Sequence, residues 1–244
     1  WKGLRMSDII MRYEDYLVHT KHASDNTIAS YMRDLRQYAS YLGSEGIDVL
    51  DADQMVVSSY MGNMKACGKS AATISRALAS IKSLYIFAIQ NHEIEENPIQ
   101  NIKIDKAEKK LPQILTGKEV ELLLEQPRTS DMKGCRDKAM LEVLYATGIR
   151  VSELINLNID DVSITGGFIR CESGGKTRII PLYPEAVQAL HTYMDDVRLK
   201  MLATPSEHSL FVNVSGERMS RQGFWKIIKY YQEKSQIDKD ITPH

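Results

Sequence analysis

Arg150 stands in the string Tyr145-Ala-Thr-Gly148-Ile-Arg150-Val-Ser152-Glu153-Leu154, between a helical stripe that closes at Gly148 and a new stretch for which Ser152 is a candidate cap. A guanidinium at such a junction is fixed by helix ends on both sides. Its planar fork can donate two parallel hydrogen bonds to phosphate oxygens, and it stays charged at any physiological pH. The chemistry that suits it is a grip on one phosphate, and the plain alternative is a surface pair with Glu153. Lys176 follows Gly174-Gly175, where a tight turn would present an amine able to protonate a departing oxygen, and Arg178 lies two residues on. Between Lys65 and Lys82 there is no acidic residue. Lys69, Thr73 and Arg76 share a helical face opposite Ile74, Leu78 and Ile81, with Ser70 and Lys82 nearby, which suits either a DNA major groove or an ordinary solvated face. Arg221 follows Ser220 at a helix start, a second place for a phosphate. His244 ends the chain after Ile241-Thr-Pro and by itself carries no reading.

These groups need rigid supports, and the apolar periodicity supplies them. From Met6 to His92 the spacing of Ile9, Tyr13 and Leu17, of Ile28, Tyr31, Leu35 and Tyr38, of Val56, Tyr60 and Met64, and of Ile74, Leu78, Ile81 and Tyr85 predicts a bundle of four helices. Asn97-Pro98 stops it, and a lysine-rich linker follows to Pro112. Thr116 and Glu119 have capping-box spacing for the first helix of a second domain. Strand signals come later, at Phe168 to Cys171 and Thr177 to Leu182 around the glycine turn, and helices begin at Pro184 and after Ser220. The predicted fold is mainly α with a small β-sheet: residues 1–97 a helical domain, 98–112 a linker, 113–244 a mixed α/β domain.

Bulk properties exclude several classes. With 43% hydrophobic and 26% charged residues the chain reads as globular, and no apolar run reaches the length of a bilayer span. The first residues lack the pattern of a secretory signal, so a cytoplasmic location without membrane is expected. Cys67, Cys135 and Cys171 are odd in number and in no zinc spacing, which predicts buried, reduced thiols and no metal. A net charge of −1 means that any DNA contact must rest on local charge.

The run from Arg136 to Leu157, centred on Thr-Gly-Ile-Arg150-Val-Ser-Glu153-Leu, resembles the first catalytic-arginine box of tyrosine site-specific recombinases of the phage-integrase and Xer type. Ser70 to Tyr85, with Asn26 to Leu35, resembles that family's SAM-like, four-helix core-binding domain, and Glu172 to Leu182 its β-hairpin. The resemblance implies a tyrosine-recombinase catalytic domain in which Arg150 binds the scissile phosphate and Glu153 supports the local fold. The family's hairpin usually carries two lysines. Ser173 stands at the first, usually catalytic, position, so either Lys176 takes over proton transfer to the leaving 5′-oxygen or it is only a lysine near phosphate.

Ile241 to His244 resembles the opening of the second box, making His244 an active-site histidine. The implied reaction is strand cleavage and rejoining through a 3′-phosphotyrosyl intermediate, without cofactor, metal or ATP. It would run on double-stranded DNA in a homo- or hetero-tetramer that holds two duplexes. Lysines 106, 109 and 110 of the linker would bridge to phosphate, and Lys69, Ser70, Thr73, Arg76, Lys82, Arg178 and Arg221 would contact DNA. The family's second arginine and nucleophilic tyrosine have no matching positions here, and Tyr230 and Tyr231 fall on a core helix. The 244 residues are therefore expected to bind DNA without cleaving it. A catalytically inactive, integrase-like DNA-binding or regulatory protein is the alternative.

Overall fold

A computed structural model describes residues 2–100, 102, 113–239 and 241–242, with side chains from residue 8 onward. His244 and the linker lysines 106, 109 and 110 lie outside the described residues. The chain divides into two compact units, residues 1–110 and 111–244.

In the first unit, α1 (Lys2–Asp15) continues through a π-helical turn, Tyr16–Thr20, and is followed by α2 (Asp25–Ser44), α3 (Gln54–Ala66) and α4 (Ala71–Gln90). Each later helix starts where a short polar side chain can satisfy an otherwise orphaned amide. Ser24 accepts from Thr27, Asp53 from Val56 and Ser70 from Thr73. The predicted stripes meet inside: Ile9, Tyr13, Leu35, Tyr38, Leu42, Val57, Tyr60, Ile81, Leu84 and Tyr85 are all buried. This core is rich in tyrosine, and several hydroxyls find partners there. Tyr38 and Tyr85 share a hydrogen bond of 2.8 Å, Tyr85 donates to the Val49 carbonyl, and Tyr13 donates to Ser83. Ile99, placed by the sequence in the linker, is buried in this core.

Among the described residues α4 does reach the length and mean hydropathy (1.3) of a membrane span, contrary to expectation. Its Ile74, Ala77, Ile81, Leu84 and Ala88 are buried against α1, α2 and α3, so its apolar character is that of a core helix. Cys67 also departs from expectation: it is exposed at the end of α3, whereas Cys135 and Cys171 are buried.

The second unit opens with α5 (Gly117–Leu124), started by the predicted capping box, in which Thr116 and Glu119 bond each other's amides. Then come α6 (Met132–Thr147), α7 (Val151–Asn156), and the strands β1 (Val162–Ser163), β2 (Phe168–Ser173) and β3 (Lys176–Pro181). The strands form one antiparallel sheet in the order β1-β2-β3. The sequence missed β1, which at two residues is too short to leave a period. α8 (Pro184–Thr192) runs through a π stretch, Tyr193–Arg198, into α9 (Leu199–Met201), and α10 (Arg221–Lys234) is capped by Ser220. Met140, Val143, Leu154, Ile169, Leu190, Phe211 and Phe224 form the centre of a second core. Arg136, Arg198 and Arg218 hold its loops by donating to the carbonyls of Val212, of Ser209 and of Ile155.

Candidate active site and DNA-facing surface

α6 ends at Gly148, which takes the left-handed conformation (φ +59°) and donates its amide to the Leu144 carbonyl. Two residues later Arg150, in extended geometry, is itself the N-cap residue of α7. Ser152 is therefore inside the helix and is not its cap. The amide of Arg150 is satisfied instead from the third helical position, by Glu153 Oε2 at 2.7 Å. The pairing of Arg150 with Glu153 and an exposed guanidinium coexist: Nη1 lies 3.4 Å from Glu153 Oε1, yet the side chain is 67% exposed while that of Glu153 is 6% exposed. Buried glutamate fixes the base of the arginine, and the fork is left to solvent.

Glu153 gathers more than Arg150. Arg178, from β3, donates Nη2 to Oε1 at 2.8 Å, and the Ser173 hydroxyl, from the end of β2, favours the ionised carboxylate. Burial pushes the Glu153 carboxyl up, but the Arg150 amide, the Ser173 hydroxyl and the charges of Arg178 and Arg150 outweigh it and hold it below the usual range. An ionised glutamate thus joins the start of α7 to strand β3 of the hairpin. Cys171 lies under the same cluster, where burial and then the Glu153 charge push its thiol up, keeping it neutral.

The hairpin register decides where Lys176 points. Gly174 and Gly175 both have positive φ (58° and 73°), the conformation of a two-residue turn, and the last rung pairs Ser173 with Lys176. Directly paired residues in an antiparallel ladder project from one face. The rungs Ile169 with Ile180, Cys171 with Arg178 and Ser173 with Lys176 therefore share the face that carries buried Ile169 and Cys171. Lys176 is exposed at the outer end of the row that holds Arg178.

Arg221 is the first residue of α10, next to its Ser220 cap, and is exposed. On the same helix, burial and then the Asp137 charge push the Tyr231 hydroxyl up, and it donates to Asp137 at 3.0 Å. Tyr230 is 58% exposed.

In the first unit Ser70 and Thr73 are occupied with the α4 cap: Ser70 Oγ accepts the Thr73 amide and the two hydroxyls lie 2.9 Å apart. Lys69 and Lys82 are exposed. Six residues separate Arg76 from Lys82, which places them about a third of a turn apart rather than on one line. Arg76 is engaged by Asp34 of α2, through Nε to Oδ2 at 2.8 Å and Nη2 to Oδ1 at 2.9 Å. Asp34 was not foreseen. Its only signal was an acid beside Tyr31, Leu35 and Tyr38 on an apolar face.

Residues 113–244 match the model of the phage integrase family, and residues 10–92 that of the phage integrase N-terminal SAM-like domain. Tyrosine recombinase XerD of Staphylococcus epidermidis is 39% identical over 241 residues, covering 98% of this chain and 82% of that protein. Tyrosine recombinase XerD of Halalkalibacterium halodurans is 41% identical over 224 residues, 91% of this chain and 75% of that one. The chain belongs to the phage integrase family. Among solved structures, the Tn1549 transposon integrase in complex with a circular intermediate DNA superposes with a TM-score of 0.76 at 19% identity, covering 97% of this chain and 83% of that one. A lambda integrase tetramer bound to a Holliday junction gives 0.72 at 18% identity, covering 95% and 64%. At those identities the likeness is one of fold.

Proposed function

We propose that this chain acts on double-stranded DNA as a tyrosine site-specific recombinase, in the cytoplasm, and that Arg150 grips the scissile phosphate. The observation that carries the reading is the pairing of an exposed Arg150 fork with a buried Glu153 that fixes the arginine from behind. Such a donor is aimed before the phosphate arrives, so little reorganisation is needed when negative charge grows on the pentacoordinate phosphorus. In the reaction a tyrosine oxygen forms a bond to phosphorus as the bond to the 5′-oxygen breaks. The departing oxygen takes a proton, and the 3′-phosphotyrosyl ester conserves the bond energy for rejoining.

Lys176 is the proton donor in this reading. Ser173, at the position where the family's usual lysine falls, has no amine to donate, while Lys176 stands directly across the same rung with a flexible stem. Lys69 and Arg221 supply phosphate contacts, Ser70 and Thr73 line the approach, Lys82 adds charge to one side, and Arg178 completes the Glu153 cluster. A tetramer on two duplexes is the working assembly; the lambda integrase structure shows a tetramer bound to a Holliday junction. Ser173 is also the residue that favours the rival, a DNA-binding protein without catalysis. Cleavage of a 5′-bridging phosphorothiolate duplex separates the two, because a thiolate leaves without a proton. In the protein as its gene encodes it, Lys176→Ala should fail on the normal duplex and recover on the thiolate substrate; failure on both refutes the role of Lys176, and wild-type inactivity on both favours the rival.

A further inference from the structure

We infer that Arg76 reads the edge of a guanine in duplex DNA and does not serve as a phosphate anchor. The inference rests on the proposed DNA-binding role of the first unit and adds which residue sets sequence preference there. Asp34 consumes Nε and one hydrogen of Nη2 from behind, at 2.8 and 2.9 Å. Of the five guanidinium donors, the two on Nη1 and the second on Nη2 remain, and they lie along the edge away from the carboxylate. The Asp34 side chain is 3% exposed and that of Arg76 42% exposed, so the guanidinium keeps solvent access away from the carboxylate. Two adjacent donors in one plane match the O6 and N7 acceptors that guanine presents in the major groove.

Charge points the same way. The pair is neutral as a unit, so Arg76 offers a phosphate less attraction than exposed Lys65 or Lys69 does, and lysines suffice as point charges. What Asp34 confers is fixed direction, lowering the side-chain entropy lost on binding, which matters for bidentate reading and little for a diffuse contact. Ala72 and Ala79, exposed on α4 one turn before and one turn after Arg76, leave the arginine as the longest side chain on that strip. A pair that merely stapled α2 to α4 would require none of this, and the test separates the two.

The test is selection of bound duplexes from a randomised library by this chain, followed by sequencing. Wild type should enrich guanine at one position of each half-site. Arg76→Lys keeps the charge but loses the fork, and should lower that preference by roughly 10-fold or more while other positions stay enriched. The double variant Asp34→Leu/Arg76→Met replaces the pair by apolar side chains of similar size, which preserves helix packing, and should be blind at the same position. Circular dichroism identifies which variants are folded. A folded variant that still selects the same guanine overturns the inference. So does uniform weakening on all sequences with a salt slope reduced by about one, the mark of a phosphate contact. If wild type binds duplex DNA without base preference, the inference falls and the recombinase reading stands; if it binds no duplex, both fall.

Discussion

A single carboxylate, Glu153, decides how Arg150 can work. Buried and held ionised, it takes the Arg150 amide and Nη2 of Arg178, while the Arg150 guanidinium stays largely exposed to solvent. Replacing Arg150 by alanine should lower strand cleavage by ~100-fold or more, as loss of a preorganised donor does, with duplex affinity measured by gel shift largely kept. Glu153→Gln should cost about 1.5–3 kcal/mol of stability at neutral pH, the range for hydrogen bonds to a charged group. The folded carboxyl lies below its ordinary value, so its stabilisation is fully present above the usual carboxylate range and is lost as pH falls through the lowered value. Thermal melts from neutral to acid pH should show the gap between wild type and Glu153→Gln closing, and a gap that does not change with acid would contradict the charge-based account. The placement of Arg150 after Gly148 was legible in the sequence, because both features are local. The convergence on Glu153 was not, since it depends on the apposition of α7 and the hairpin, and the misplaced cap at Ser152 followed from weighing propensity above the N3 glutamate.

At the scale of elements, the proposed role of Lys176 rests on the hairpin. The tight turn at Gly174-Gly175 was visible in the sequence, but which side chains share a face depends on register, and register placed Lys176 opposite Ser173. The exchange variant Ser173→Lys/Lys176→Ser moves the amine across one rung, and it should restore cleavage lost in Lys176→Ser alone, scored as product on the normal duplex. Gly175→Val should cost about 1–2 kcal/mol in a melt, the penalty of a side chain at left-handed φ. The first helix of the second unit offers a separate check. Its Glu119 is held down to about 2 by Lys239 and by the Thr116 amide and hydroxyl. Thr116→Ala, which removes half of that box, should destabilise the chain by ~1 kcal/mol. Caps and stripes of this kind were readable because each spans only a few residues, whereas the bond between Asp34 and Arg76 joins positions 42 apart.

The whole molecule carries a net charge of −1, so its grip on a polyanion must come from how charge is distributed. Log affinity for duplex DNA should fall linearly with log salt, by roughly 0.9 for each phosphate neutralised, and each of Lys69→Ala and Arg221→Ala should reduce that slope by about one. A slope near zero would contradict phosphate-based binding. The helical stripes of both units could be read from periodicity, while the burial of Ile99 could not, because a lone apolar residue after a proline carries no period. The most direct test of the central claim is trapping on a nicked suicide duplex by the protein as its gene encodes it, with wild type and Arg150→Ala compared at equal occupancy. The account predicts a denaturant-resistant phosphotyrosyl adduct for wild type and almost none for the bound variant; equal adduct from both would contradict it.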